Sequence, residues 1–137
     1  MLLSTTPVSE QNGRVRTLIV GDNVNLRRLL RYNLEQEFPM MVVEEGASDR
    51  ILGKGYAFSP DLVFLDIQFP GGRGPDPTER IRKDYPRTII ISLGRHDLPD
   101  EHLAAIQNGG NYFLPKRSTT FDEINTLIRL ISSNLVL

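Results

Sequence analysis

Five short apolar runs constrain this chain more than any other feature. They are Thr17-Leu18-Ile19-Val20, Met41-Val42-Val43, Leu62-Val63-Phe64-Leu65, Thr88-Ile89-Ile90-Ile91 and Tyr112-Phe113-Leu114. All are rich in β-branched and aromatic residues, which favour strands. In the first, third and fourth almost no polar residue alternates with the apolar ones. A strand with one wet face alternates; a strand covered on both faces does not, and parallel sheets are built from the second kind.

Helical stretches separate the runs. Leu26, Leu29, Leu30, Leu34 and Phe38 recur at helical spacing with Arg27, Arg28 and Arg31 among them. The leucines are expected against a sheet and the arginines in solvent. Asn23 or Asn25 can cap this helix, and Pro39 ends it. A second, weaker helix opens at Ser48 or Asp49 and meets Gly53 and Gly55. A third lies near Thr78 to Asp84. A fourth, about Asp100 to Asn108, has Leu103 and Ile106 inward and stops at Gly109-Gly110. The last begins near Thr120 and carries Phe121, Ile124, Leu127, Ile128 and Ile131. Strand then helix, five times over, is the pattern of an α/β doubly wound domain. Right-handed crossovers leave few topologies. For five parallel strands the expected order is 2-1-3-4-5, the flavodoxin-like one, with five helices. That order puts the fifth strand at an edge, where Pro115 is tolerated.

Composition narrows the class. The chain has 137 residues, enough for one domain, and a net charge of -1. No excess of either sign points to nucleic acid or a membrane surface. Cysteine is absent, and two histidines, His96 and His102, do not make a zinc cluster. No apolar run approaches the roughly 20 residues needed to span a bilayer. The opening stretch lacks the basic and apolar regions of a secretory signal. Residues 1–15 read as a flexible tail, 16–134 as the folded domain and 135–137 as its C-terminal end, in a cytoplasmic protein.

In such sheets ligands bind outside the carboxyl ends of the strands, at the switch point between strands 1 and 3. Gly21-Asp22 follows the first run, Asp66 the third, Ser92 the fourth and Pro115-Lys116 the fifth. Each alone has an ordinary explanation: a helix cap, a loop acid, a hydroxyl bonded to backbone, a solvated lysine. Together they carry two carboxylates, a hydroxyl and an ammonium to one rim. Asp22 and Asp66 can share magnesium, which takes one or two carboxylates plus carbonyl oxygen and water. A backbone carbonyl shortly after Asp66, such as that of Gln68, can supply another oxygen. A carboxylate can also attack phosphorus and become an aspartyl phosphate. The new group carries about -1.5 to -2 charges. It needs a cation on one side, an ammonium such as Lys116 on the other and a hydroxyl donor such as Ser92.

At these residues the sequence resembles a response-regulator receiver domain, the phosphoacceptor module of two-component signalling, over about residues 16 to 133. In "LDIQFPGGRG", Pro70, Gly71 and Gly74 follow Asp66 as they follow the phosphorylated aspartate of that family. "NGGNYFLPK" resembles the approach to the family's lysine, and "TIIIS" the strand ending in its threonine or serine. The resemblance implies Asp66 as phosphoacceptor, with Asp22, Asp66 and the Gln68 main-chain oxygen as magnesium ligands. Ser92 and Lys116 would contact the phosphoryl group, and Phe113 would be the switch aromatic. It implies a histidine kinase or phosphotransfer protein as donor, and an output domain, partner protein or second copy on the face of the fourth helix, fifth strand and last helix. No enzymatic activity and no direct nucleic-acid binding are expected of such a domain.

Three departures bear on this. The family usually has two adjacent acids after its first strand; here they read Gly21-Asp22, so magnesium is expected to bind more weakly. Leu93 follows Ser92 where a small residue is usual, and its bulk is expected to restrict access to Asp66. Arg117 stands where proline usually follows the lysine. A non-proline cis bond costs roughly 3 kcal/mol, so a trans, differently shaped loop is expected. Gly21 and Leu93 motivate an alternative: a pseudo-receiver, a binding module that takes no phosphate. An enzyme on the same fold is a weaker reading. "PGGRGPD" is followed by no Gly-Lys-Ser/Thr, and neither histidine has an evident serine and acid partner.

Overall fold

The computed structural model describes residues 15–47, 59–67, 77–95 and 97–132. In chain order the elements are β1 (Arg16–Val20), α1 (Val24–Glu37), β2 (Val42–Gly46), β3 (Leu62–Asp66), α2 (Pro77–Asp84), β4 (Ile89–Gly94), α3 (Pro99–Gln107), β5 (Tyr112–Pro115) and α4 (Phe121–Ser132). The strands form one sheet in the order β2-β1-β3-β4-β5, and every neighbouring pair is parallel. This is the expected flavodoxin-like arrangement. Four helices appear among the described residues; the second expected helix falls in 48–58, outside them.

The unalternating runs are buried on both faces. On one face Ile19, Phe64, Ile91 and Leu93 pack with Leu30 and Leu34 of α1 and with Ile124, Ile128 and Ile131 of α4. On the other, Leu18, Val20, Val63, Leu65 and Ile90 pack with Ile81 of α2. Each such side chain contributes about 1.5–3 kcal/mol when fully buried. The Asn23 side chain accepts from the Leu26 N–H at 3.1 Å, so Asn23 is the cap of α1. Thr120 and Glu123 exchange bonds at the start of α4: the Glu123 N–H donates to Thr120 Oγ1 at 3.1 Å and the Thr120 N–H to Glu123 Oε1 at 2.9 Å. Gly109, at φ 111°, turns the chain out of α3 as only glycine does easily.

Four expectations are corrected. Leu29 is 57% exposed, because Leu30 and Leu34 occupy the sheet-facing line of α1 and leave it on the flank. Arg27, expected in solvent, is folded back over the strand ends. In α3, Leu103 and Ile106 are 57% and 47% exposed, and Glu101 and Ala105 are buried instead. The Gly110 N–H donates to the Ala105 carbonyl at 2.9 Å, and a Cβ on Gly110 would lie 2.9 Å from that oxygen. So close a crossing selects the small residue of the helix, not its large ones. Phe121, counted with the apolar residues of the last helix, is 39% exposed at its first position.

Candidate functional site

Asp66 is the last residue of β3, and its side chain is only 8% exposed. The Lys116 Nζ donates to its Oδ1 at 2.6 Å. Lys116 is delivered by the sheet edge: β5 pairs with β4 as far as Gly94–Pro115, and the Lys116 N–H then donates to the Gly94 carbonyl at 2.8 Å. The contact therefore reaches across β4 and ties β3 to the residue after β5.

The end of β1 closes on the other side of the carboxylate. Val20 is the register partner of Leu65, so Gly21 comes level with Asp66. A Cβ on Gly21 would lie 2.6 Å from the Asp66 Cβ and 3.3 Å from its Oδ2. Glycine here permits a close approach of two strand ends. One carboxylate oxygen thus meets the lysine, and the other is turned toward the strand that continues into Asp22. Asp22 itself is exposed.

Ser92 is placed differently from the expectation. β4 continues to Gly94 because Leu93 and Gly94 keep pairing with β5, so Ser92 is inside the strand and not at its end. Its register partner is Leu65, whereas that of Asp66 is Leu93. Paired positions share a face and successive residues alternate. Ser92 therefore lies on the Leu65–Ile90 face and Asp66 on the Leu93 face. Ser92 is fully buried, and its Oγ has no hydrogen-bond partner among the described residues. Leu93 flanks Asp66 and is itself packed in the core at 4% exposure.

Phe113 is half-buried, and its ring occupies the space a Cβ on Gly94 would need. It stacks on His102 with centroids 4.1 Å apart and planes tilted by 40°. The His102 Nε2 is 2.7 Å from Asp97 Oδ1. Gln68, the Pro70 to Gly74 loop and His96 lie outside the described residues.

Among the described residues the structure joins Asp66 with Lys116 and brings Gly21 against Asp66. It leaves Ser92 one register step away. Sequence reasoning missed the partners of Arg27. The Arg27 Nη1 donates to the Gly21 carbonyl at 2.6 Å and the Nε to Glu45 Oε1 at 3.1 Å. The signal was Glu44-Glu45 following the second run, which the 2-1-3 order sets beside the first.

Among the described residues no three or more His, Asp or Glu side chains cluster to hold a metal. Two carboxylates on adjacent strand ends, Asp22 after β1 and Asp66 closing β3, suit magnesium, which keeps most of its waters. They do not suit zinc, which takes three or four side chains.

An acid and a lysine are paired at the carboxyl rim of a 2-1-3-4-5 sheet. The chain belongs to the response regulator receiver domain family, whose profile matches residues 17–129. It is 34% identical over 83 residues to the transcriptional regulatory protein ResD of Bacillus subtilis, covering 60% of this chain and 34% of ResD. It is 26% identical over 121 residues to the response regulator protein VraR of Staphylococcus saprophyticus, covering 88% of this chain and 57% of VraR. The chain spans less than two thirds of the length of either relative. The fold is shared with the receiver domain of the response regulator NarL from Mycobacterium tuberculosis, with TM-score 0.71, 24% identity and coverage of 88% of this chain and 97% of that one. Among the described residues no helix is long and apolar enough to cross a membrane.

Proposed function

We propose that this chain is a phosphorylation-controlled signalling switch in which Asp66 accepts a phosphoryl group from a histidine kinase or phosphotransfer protein. The observation that carries the reading is the 2.6 Å contact between the Lys116 ammonium and the Asp66 carboxylate at the rim of the sheet. In the transfer, an Asp66 carboxylate oxygen forms the new P–O bond as the N–P bond of the donor phosphohistidine breaks, and the imidazole leaves with the electron pair. Asp22, Asp66 and the Gln68 main-chain oxygen would hold magnesium, which when bound offsets the charge gathering on the phosphoryl oxygens. Lys116 exchanges its carboxylate partner for a phosphoryl oxygen. Ser92, whose hydroxyl has no described partner, would reach the phosphoryl group only if the end of β4 turned its side chain from the opposite face toward Asp66. Through β5 the change reaches Phe113 and the face of α3, β5 and α4, where an output domain, a partner protein or a second copy docks. This is a population shift between two packings, driven by local charge. The domain works in the cytoplasm and needs no catalytic residue beyond its phosphoacceptor.

Acetyl phosphate with magnesium tests the reading. Intact-mass measurement is expected to find one added phosphoryl group on the wild type and none on Asp66→Asn; equal labelling of the two would end it.

One observation favours a second reading, the pseudo-receiver. Asp66 is 8% exposed, with Gly21 against it on one side and Lys116 on the other. That reading expects no magnesium-dependent NMR shift and no response to beryllofluoride.

A further inference from the structure

Arg27 lies in the first turns of α1, yet its side chain is only 14% exposed and Glu45 is 16% exposed. The guanidinium makes two bonds, to the Gly21 carbonyl at 2.6 Å and to Glu45 Oε1 at 3.1 Å. Arg31 Nη1 adds a weaker approach to Glu45 Oε2 at 3.7 Å. Gly21 is thus held at both ends of its peptide frame. Its N–H donates to the Gly46 carbonyl of β2 at 3.1 Å, and its carbonyl accepts from Arg27. Gly21 is also the residue in contact with Asp66, and one peptide bond later comes Asp22. Charge-assisted bonds are roughly twice as strong as neutral ones. A pair this little exposed is also weakly screened by salt.

We propose that Arg27 is a positioning residue of the acid pocket: through the Gly21 carbonyl it fixes the end of β1, and with it the place of Asp22 beside Asp66. The inference rests on the phosphoacceptor reading for its use, and on Arg27 and Gly21 alone for its geometry. Two rivals predict different signs. If Arg27 merely staples α1 to β2, its loss lowers stability and leaves the pocket unchanged. If its positive charge acts on the pocket directly, its loss strengthens magnesium binding.

The test uses the full chain with R27Q, R27K and E45Q. Magnesium titration followed by amide NMR gives affinity, hydrogen exchange of the Asp22 and Asn23 amides is read without magnesium, and urea denaturation gives stability. R27Q is expected to weaken magnesium binding roughly tenfold, the low end of losses when a residue orienting a metal ligand is removed. It should also speed exchange at Asp22 and Asn23 in the metal-free protein. R27K, which keeps one donor without the planar fork, recovers part of both. E45Q, which leaves the Gly21 bond in place, changes both less than R27Q. Wild-type affinity and exchange in R27Q, or tighter magnesium binding, overturn the proposal. A wild type that neither binds magnesium nor takes phosphate overturns the phosphoacceptor reading, and the metal-free exchange then decides the Arg27 proposal by itself.

Discussion

Gly21 and Gly94 each make room for a neighbour. At Gly21 the neighbour is the Asp66 side chain, and a Cβ would lie 2.6 Å from the Asp66 Cβ. Gly21→Ala is therefore expected to push β1 from β3 and to cost about 1–3 kcal/mol, as overpacking of a tight contact does; urea denaturation reads it. The same contact explains why an acid at this position would not simply add a metal ligand. Its first carbon has no space, whatever charge follows. Ser92 shows the limit of reading sites one residue at a time. The sequence places it at the end of an apolar run, but side-chain direction depends on register, and register with β3 turns it to the face opposite Asp66.

Among the elements, α2 is eight residues long, and Ile81 is the apolar side chain it buries completely. Ile81→Ala is expected to cost about 2–5 kcal/mol, the range for deleting a buried aliphatic side chain, again measured by denaturant unfolding. Arg82, next to it, donates to the carbonyls of Gly109 at 3.0 Å, Pro86 at 2.9 Å and Thr88 at 2.7 Å, and to Asn111 Oδ1 at 2.6 Å. Burial draws its guanidinium below the usual arginine pKa. This fork pins α2 to the turns flanking β4 and β5. The strands, their order, the α1 cap and the glycine stop of α3 were legible, because unbroken apolar runs and turn residues act locally. The inward face of α3 was not. Leu103 and Ile106 look like a core stripe, but the closeness of Gly110 to Ala105 is a tertiary fact with no mark in periodicity. The Arg27 bonds were hidden for a similar reason: a charge run reads as solvated until the strand order sets Glu45 beside it.

Across the molecule, the candidate site and the far face of α3 are joined by one short path. Lys116 touches Asp66, Phe113 stands three residues before it, and the Phe113 ring lies on His102. Beryllofluoride with magnesium is accordingly expected to shift the His102 ring resonances together with the amides around Asp66. In Phe113→Ala the Asp66 shifts should remain and the His102 response be lost; NMR of the two proteins reads both. The Asp66–Lys116 contact has a mechanical side as well. Among the described residues β5 is an edge strand paired with β4 alone, and the lysine just beyond it is strapped across β4 to β3. A group added to Asp66 that drew the ammonium onto its own oxygens would leave the strap tied to β3 but lengthen it, so marking the acid would also reseat the sheet's margin.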